Sequence, residues 1–225
     1  MKALKNRVLA VQAVWSFVDL VRNPDHLDRV FEIADAMSQQ RIDVIEKMRD
    51  HFAKDPRGAA ALRDKRRLAI RLDELLALPV GTLGRTYAEH MRANGLDPAA
   101  IPTLEARSEL EFVRAHLYET HDVWHAVTGF TTDVAGELGL QAFYAAQAPG
   151  GLPLTLLAMG LLNTAIYAMG ERERRLEAIT RGWQMGKSAH TLFGVRWDEL
   201  WNRPIADVRK LLGIDPVALD LATAA

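Results

Sequence analysis

Apolar residues recur along this chain at intervals of three and four, the spacing of one helix face. No segment alternates as a half-buried strand would. Leu4, Val8, Val11, Trp15 and Val18 mark a first amphipathic helix. Asn23-Pro24-Asp25 stops it and opens the next, with Pro24 at the first helical position. Leu27, Val30, Phe31 and Ala34 line a second helix, and Ile42, Ile45, Met48 and Phe52 a third before Asp55-Pro56. Residues 57–71 are basic and alanine-rich and read as a solvated helix face. Leu78 to Gly84 forms a turn, and a helix runs from about Arg85 to Ala93, ending at Asn94-Gly95. Ser108 and Glu111 have the spacing of a capping box in, or at the start of, a long helix that ends near Thr128. Glu171 to Arg181 is a charged helix, and a last short helix ends at Gly213. Trp197 and Trp201, four apart before it, read as core anchors. With no internal repeat, the pattern predicts an all-α fold, a single-domain multi-helix bundle over residues 1–225.

One run breaks the amphipathic rhythm. No Asp, Glu, Lys or Arg occurs in the 33 residues from Leu138 to Gly170. Leu152 to Met169 is 18 mostly apolar residues, the lower limit for a membrane span, but Pro153, Thr155, Asn163 and Thr164 weaken that reading. The readings that stay open are a fully buried helix, a wall that accommodates a flexible lipid chain beside Ala158, Gly160, Ala165 and Ala168, or a shallow dip into a membrane.

Composition narrows the chemistry. Apolar content of 49% and charged content of 25% are ordinary for a globular protein, and a net charge of -1 argues against a nucleic-acid binder. The absence of cysteine excludes disulfides, thiol nucleophiles and thiolate metal sites, so any metal must take nitrogen and oxygen ligands. Lys2, Lys5 and Arg7 precede an apolar stretch, but Gln12 and Asp19 interrupt it. It reads as a helix, not a signal peptide.

Four good metal ligands fall in one short window: His121, Asp122 and His125, then Glu137 after eleven intervening residues. On a helix the first three lie within an arc of about 100°. On one unbroken helix Glu137 would lie ~18 Å along the axis from His125, too far to share an ion. Gly129 is a C-cap candidate, and Thr131, Thr132 or Asp133 an N-cap candidate. The window therefore reads as helix, tight turn, second helix, with Glu137 folded back toward the histidines. Imidazole and carboxylate together suit a divalent ion, zinc first among the candidates.

The HDVWH element with Glu137 resembles the HDxxH-x11-E hallmark of the coenzyme Q (ubiquinone) biosynthesis protein of the Coq-four family. Leu78-Pro-Val-Gly-Thr-Leu-Gly-Arg-Thr-Tyr87 is similar to that family's LPxGTLGRxY stretch. Gly136-Glu137 with Phe143, Ala146, Gln147 and Gly151-Leu152-Pro153 resembles its helix and GLP turn. Trp201-Asn-Arg-Pro204 with Arg209 resembles its WxxP and following arginine. The resemblance covers roughly residues 75–215. It implies an all-α fold with a divalent metal, zinc foremost, at His121, Asp122, His125 and Glu137, and a hydrophobic channel for a polyprenyl tail. It implies a polyprenylated quinone precursor and other quinone-biosynthesis proteins as partners; the chain is also expected to form a homo-oligomer. It further implies a place on a membrane surface, the inner face of the cell membrane or the mitochondrial inner membrane. The reaction implied is oxidative decarboxylation at ring carbon C1 of a prenylated 4-hydroxybenzoate derivative, with Asp122 and Glu137 as candidate catalytic carboxylates.

Three other classes compete. A non-catalytic, metal-containing scaffold would present prenyl intermediates to partners. An HD-type metal phosphohydrolase would use His121-Asp122 with His90 and need a distal Asp198 or Asp207. A zincin peptidase would need Glu where Asp122 stands.

Overall fold

The structure, a computed structural model, describes residues 21–22, 42–98 and 104–216. The two helices expected at residues 4–18 and 27–34, with the Pro24 junction, lie outside the described residues. Among those described, every regular element is helical, and the only strand-like pairing is an isolated bridge between Thr82 and Pro204. The α-helices are α1 (Ile42–Phe52), α2 (Pro56–Asp64), α3 (Leu72–Leu76), α4 (Leu83–Ala93), α5 (Glu109–Thr128), α6 (Val134–Gln147), α7 (Gly151–Tyr167), α8 (Arg172–Ser188) and α9 (Ile205–Leu212).

Local chemistry sets their ends. Asp55 accepts from the amides of Arg57 and Gly58 ahead of Pro56, which opens α2. Ser108 and Glu111 close the capping box at the start of α5: the Ser108 hydroxyl accepts from the Glu111 amide at 3.2 Å, and the Glu111 carboxylate from the Ser108 amide at 2.9 Å. Arg209 of α9 reaches the other end of α5, donating to the carbonyls of Val127 (2.8 Å) and Ala126 (3.1 Å), which the last turn leaves unpaired.

Two expectations need correction. The basic stretch 57–71 is not one helix. α2 ends at Asp64, where Lys65 turns left-handed at φ 47°. Beyond it the arginines leave the helix to reach distant carboxylates, Arg66 to Asp198 and Glu199, and Arg67 to Glu119. α7 is not a fully buried helix either. It buries Met159, Gly160, Asn163 and Thr164, and presents Leu154, Leu161, Leu162, Ile166 and Tyr167 to the outside. No helix among the described residues is long and apolar enough to cross a membrane.

The main core joins Leu83, Tyr87 and Met91 of α4 to Val123, Trp124 and Val127 of α5 and to Leu140 and Phe143 of α6. Trp197 and Trp201 are buried in it, as core anchors should be. A smaller core gathers Phe52, Leu62, Phe112, Val113 and Phe193, with the Phe52 and Phe193 rings stacked at 4.0 Å. α6 and α8 form the most extensive helix pair. Their backbones approach closely because Gly182 lies against the Gly139 carbonyl and Gly186 against that of Phe143. A side chain at Gly182 would drive the helices apart, and α6 carries Glu137.

Candidate metal centre

The α5–α6 junction builds the site. α5 ends at Gly129, whose φ of 83° is left-handed and whose amide returns to the His125 carbonyl at 2.9 Å. Asp133 caps α6 by accepting from the Gly136 amide at 2.9 Å, and Thr131 donates to the same carboxylate oxygen at 3.0 Å. Five residues, Gly129 to Asp133, therefore separate two capped helices. The glycines around Glu137 have a physical reason. A β-carbon at Gly136 would strike the Thr131 carbonyl, and one at Gly139 would strike the Phe130 ring. Their absence lets the turn fold down onto α6.

That fold brings three donors together. The donor atoms of His121, His125 and Glu137 all lie within 4.8 Å of one another. The two Nε2 atoms are 3.3 Å apart, His125 Nε2 is 3.0 Å from Glu137 Oε1, and His121 Nε2 is 3.8 Å from Glu137 Oε2. The edge of a tetrahedron with metal–nitrogen bonds of ~2.05 Å is about 3.3 Å. The trio already has the spacing a small divalent ion requires.

The outer nitrogens support the same conclusion. His125 Nδ1 sits 3.0 Å from the Phe130 carbonyl, so it carries the proton and leaves the Nε2 lone pair facing the trio. His121 Nδ1 sits 3.4 Å from the Tyr144 hydroxyl. Outer partners of this kind orient metal-binding imidazoles. A group of three such donors could hold a metal ion.

Burial and mutual charge act on every member of the trio. Burial lowers the His121 and His90 pKa values below the ordinary value. Burial pushes His125 the same way, but the charge and hydrogen bond of Glu137 outweigh it and raise its pKa. Burial would raise Glu137, yet the histidines hold it below the usual carboxylate range. Burial, then the charges of Asp122 and Glu137, push the Tyr144 phenol well above its ordinary value, so it stays protonated.

Of the four expected ligands, the structure brings His121, His125 and Glu137 together. Asp122 is not in the close trio. It is half-buried, and its charge acts on Tyr87 and His90 of α4 and on Tyr144. The helical geometry explains this: Asp122 lies about 100° around α5 from His121, while His125 lies only about 40° away. Asp198, which a phosphohydrolase would need, is instead paired with Arg66, and Asp207 is exposed at the start of α9.

Sequence reasoning missed Tyr144, although a signal existed. Tyr144 follows Glu137 by seven residues, two helical turns on the same face. Its ring also stacks on Trp124, 4.2 Å between centroids and 12° from parallel. Tyr144→Phe keeps that stack and removes the partner of His121. We expect the fold to survive and the affinity for zinc to fall about 10-fold, measured by competition with a chromophoric chelator. Unchanged affinity would make Tyr144 a packing residue only.

Comparison with known proteins agrees with these motifs. The family model described as coenzyme Q (ubiquinone) biosynthesis protein Coq4 matches residues 2–218. The mitochondrial ubiquinone biosynthesis protein coq4 of Aspergillus fumigatus is 32% identical over 212 residues, 90% of this chain and 71% of that protein. The mitochondrial COQ4 homolog of Rattus norvegicus is 31% identical over 174 residues, 75% of this chain and 65% of its own. The crystal structure of a Nostoc punctiforme protein assigned to ubiquinone biosynthesis superposes with a TM-score of 0.78 at 28% identity, covering 92% of this chain and 98% of that one. The chain therefore belongs to the Coq4 family of coenzyme Q (ubiquinone) biosynthesis proteins.

Proposed function

We propose that this protein carries out a metal-dependent oxidative decarboxylation in coenzyme Q biosynthesis, replacing the C1 carboxyl of a prenylated 4-hydroxybenzoate derivative by hydroxyl. The observation that carries the reading is the donor trio, whose outer histidine nitrogens are both held by the protein so that the inner ones converge. His121, His125 and Glu137 would hold the divalent ion, zinc by preference of the ligand set. When bound, such an ion supplies Lewis acidity toward a carboxylate or ring oxygen. Asp122, close by but outside the trio, is free to accept and return the phenol proton of the substrate. The exchange of carboxyl for hydroxyl is a two-electron oxidation. With dioxygen as oxidant, one oxygen atom enters the ring and carbon dioxide leaves. The other oxygen becomes water, using two protons and two electrons from an external reductant.

The prenyl tail suits α7. Leu154, Ala158, Leu161, Leu162, Ala165 and Ile166 are exposed and fall on one helical stripe, and Trp183 and Leu176 of α8 are exposed as well. Such a surface supports contact with a prenyl chain and with the surface of a membrane, and so peripheral association. Gly160 packs directly on Leu138, so it belongs to the α6–α7 contact, and a probe of tail binding belongs on the outer stripe. The same stripe favours the second reading, a scaffold that presents prenyl intermediates without turning them over.

Asp122→Asn separates the two. It keeps size and hydrogen-bonding capacity but removes the basic oxygen. Metal-loaded wild type and variant are incubated with the prenylated acid, dioxygen and a reductant, and the lipids are read by mass spectrometry. The expected result is a hydroxylated, decarboxylated product from the wild type, and little from a variant of equal metal content and stability. No product from the loaded wild type would leave the scaffold standing.

A further inference from the structure

His90 lies on α4, outside the motif that defines the family resemblance, yet its ring lies beside the metal centre. Its centroid is 5.8 Å from that of His125, and the two planes are 19° from parallel. The charges of Asp122 and Glu137 both act on it. Its Nε2 is buried and has no hydrogen-bond partner. It is also absent from the group of donors that close to within 4.8 Å, so it does not serve as a fourth member of the trio.

A buried polar atom without a partner costs about 1–3 kcal/mol, and native structures rarely leave one. Two simpler roles for this histidine fail on the residues around it. His90 is not needed to orient His125, because the Phe130 carbonyl already does that. Nor does it complete a phosphohydrolase centre, because Asp198 is committed to Arg66. What remains is an unpartnered nitrogen of α4, on a ring 5.8 Å from that of His125, next to a group of three donors that leaves a fourth position to fill. The open position of such a site takes an oxygen of water or substrate.

We propose that His90 is a substrate-binding residue: its Nε2 hydrogen-bonds an oxygen of the carboxylate-bearing head group seated at the His121–His125–Glu137 centre. The inference rests on the functional reading above and adds a residue to it. It also gives α4 a role in the site. Tyr87 and Met91 bury that helix in the core, so His90 is held on a fixed element rather than on a loop.

The test uses cobalt-substituted protein, whose visible spectrum reports ligands entering the open position. Two probes are titrated: acetate, a bare carboxylate that can meet the open position and His90 without a ring, and 4-hydroxybenzoate, the head group without its tail. His90→Phe keeps the ring against His125 and loses both nitrogens. His90→Gln returns an amide near the lost Nε2. The expected result is cobalt affinity within about 3-fold of wild type in both variants. Binding of both probes should be about 10-fold weaker in His90→Phe and recover in His90→Gln. Equal binding by wild type and His90→Phe would overturn the proposal. So would loss of cobalt from His90→Phe, because His90 would then be a ligand. A wild type that takes neither probe would overturn it too. A wild type that takes acetate but not 4-hydroxybenzoate would refute the substrate reading alone, with the acetate ratio still deciding the part played by His90.

Discussion

His125→Ala protein, purified without a histidine tag, is expected to contain no stoichiometric metal, whereas the wild type holds one divalent ion per chain. His125 is the most buried member of the trio, its side chain 0% exposed, and it touches both other donors. Removing it leaves two protein ligands, and three is the working minimum for zinc. Loss of an outer partner alone costs 10–100-fold in affinity, so loss of the ligand itself should exceed about 100-fold. The variant should also be less stable without metal. Glu137 loses its 3.0 Å partner, and the Phe130 carbonyl loses its donor. Stranding a buried charge costs about 3–5 kcal/mol, and Glu137 is 28% exposed, which places the loss near the lower end. Elemental analysis and thermal unfolding with and without chelator measure both effects. A folded variant that keeps one ion per chain would remove His125 from the ligand set.

The parts of this fold that were legible in the sequence are those decided within one turn of helix. Asp55-Pro56, Ser108 with Glu111, Gly129, Asp133 and Gly213 all mark helix ends in the structure, because each solves a local shortage of backbone partners. The return of Glu137 to the histidines was legible for the same reason. Two caps four residues apart leave the chain little choice but to reverse. Longer-range facts were not written this way. Nothing near Lys65 announces that Arg66 and Arg67 pair with residues far along the chain. The apolar character of α7 is plain, but hydrophobicity does not say whether a partner helix covers it, and the outer stripe is exposed. Asp122 and His125 share an arc of α5, yet only His125 meets the Glu137 carboxylate. Only the packing shows that the Asp122 charge reaches Tyr87 and His90 of α4 and Tyr144 of α6.

The stability of the protein should fall by about 3 kcal/mol between pH 6.5 and pH 4 through one residue away from the metal centre, His116 of α5. It is buried among Phe112 and Phe193, with ring centroids at 5.2 and 4.9 Å. Its Nε2 accepts from the Gly194 amide at 3.1 Å, which ties α5 to the segment before Trp197 and requires the neutral ring. Burial, helped by the nearby charge of Arg67, lowers its pKa from 6.5 to about 4. The sign follows from the proton count. Between pH 6.5 and 4 the unfolded chain binds a proton at this site and the native protein does not. The contribution is therefore complete above pH 6.5 and lost as the pH falls to 4, at up to 1.36 kcal/mol per pH unit. His116→Phe keeps the aromatic packing but strands the Gly194 amide, a loss of about 1–3 kcal/mol at neutral pH. Urea unfolding in the presence of chelator, from pH 7.5 down to 4.5, should show the wild-type curve falling toward that of the variant, and the gap between them narrowing or reversing. Glu137, whose pKa is lowered, also loses its contribution in acid, but it does so in both proteins and cancels in the comparison. Parallel curves would mean that His116 takes up its proton as readily folded as unfolded, and that the acid sensitivity lies elsewhere.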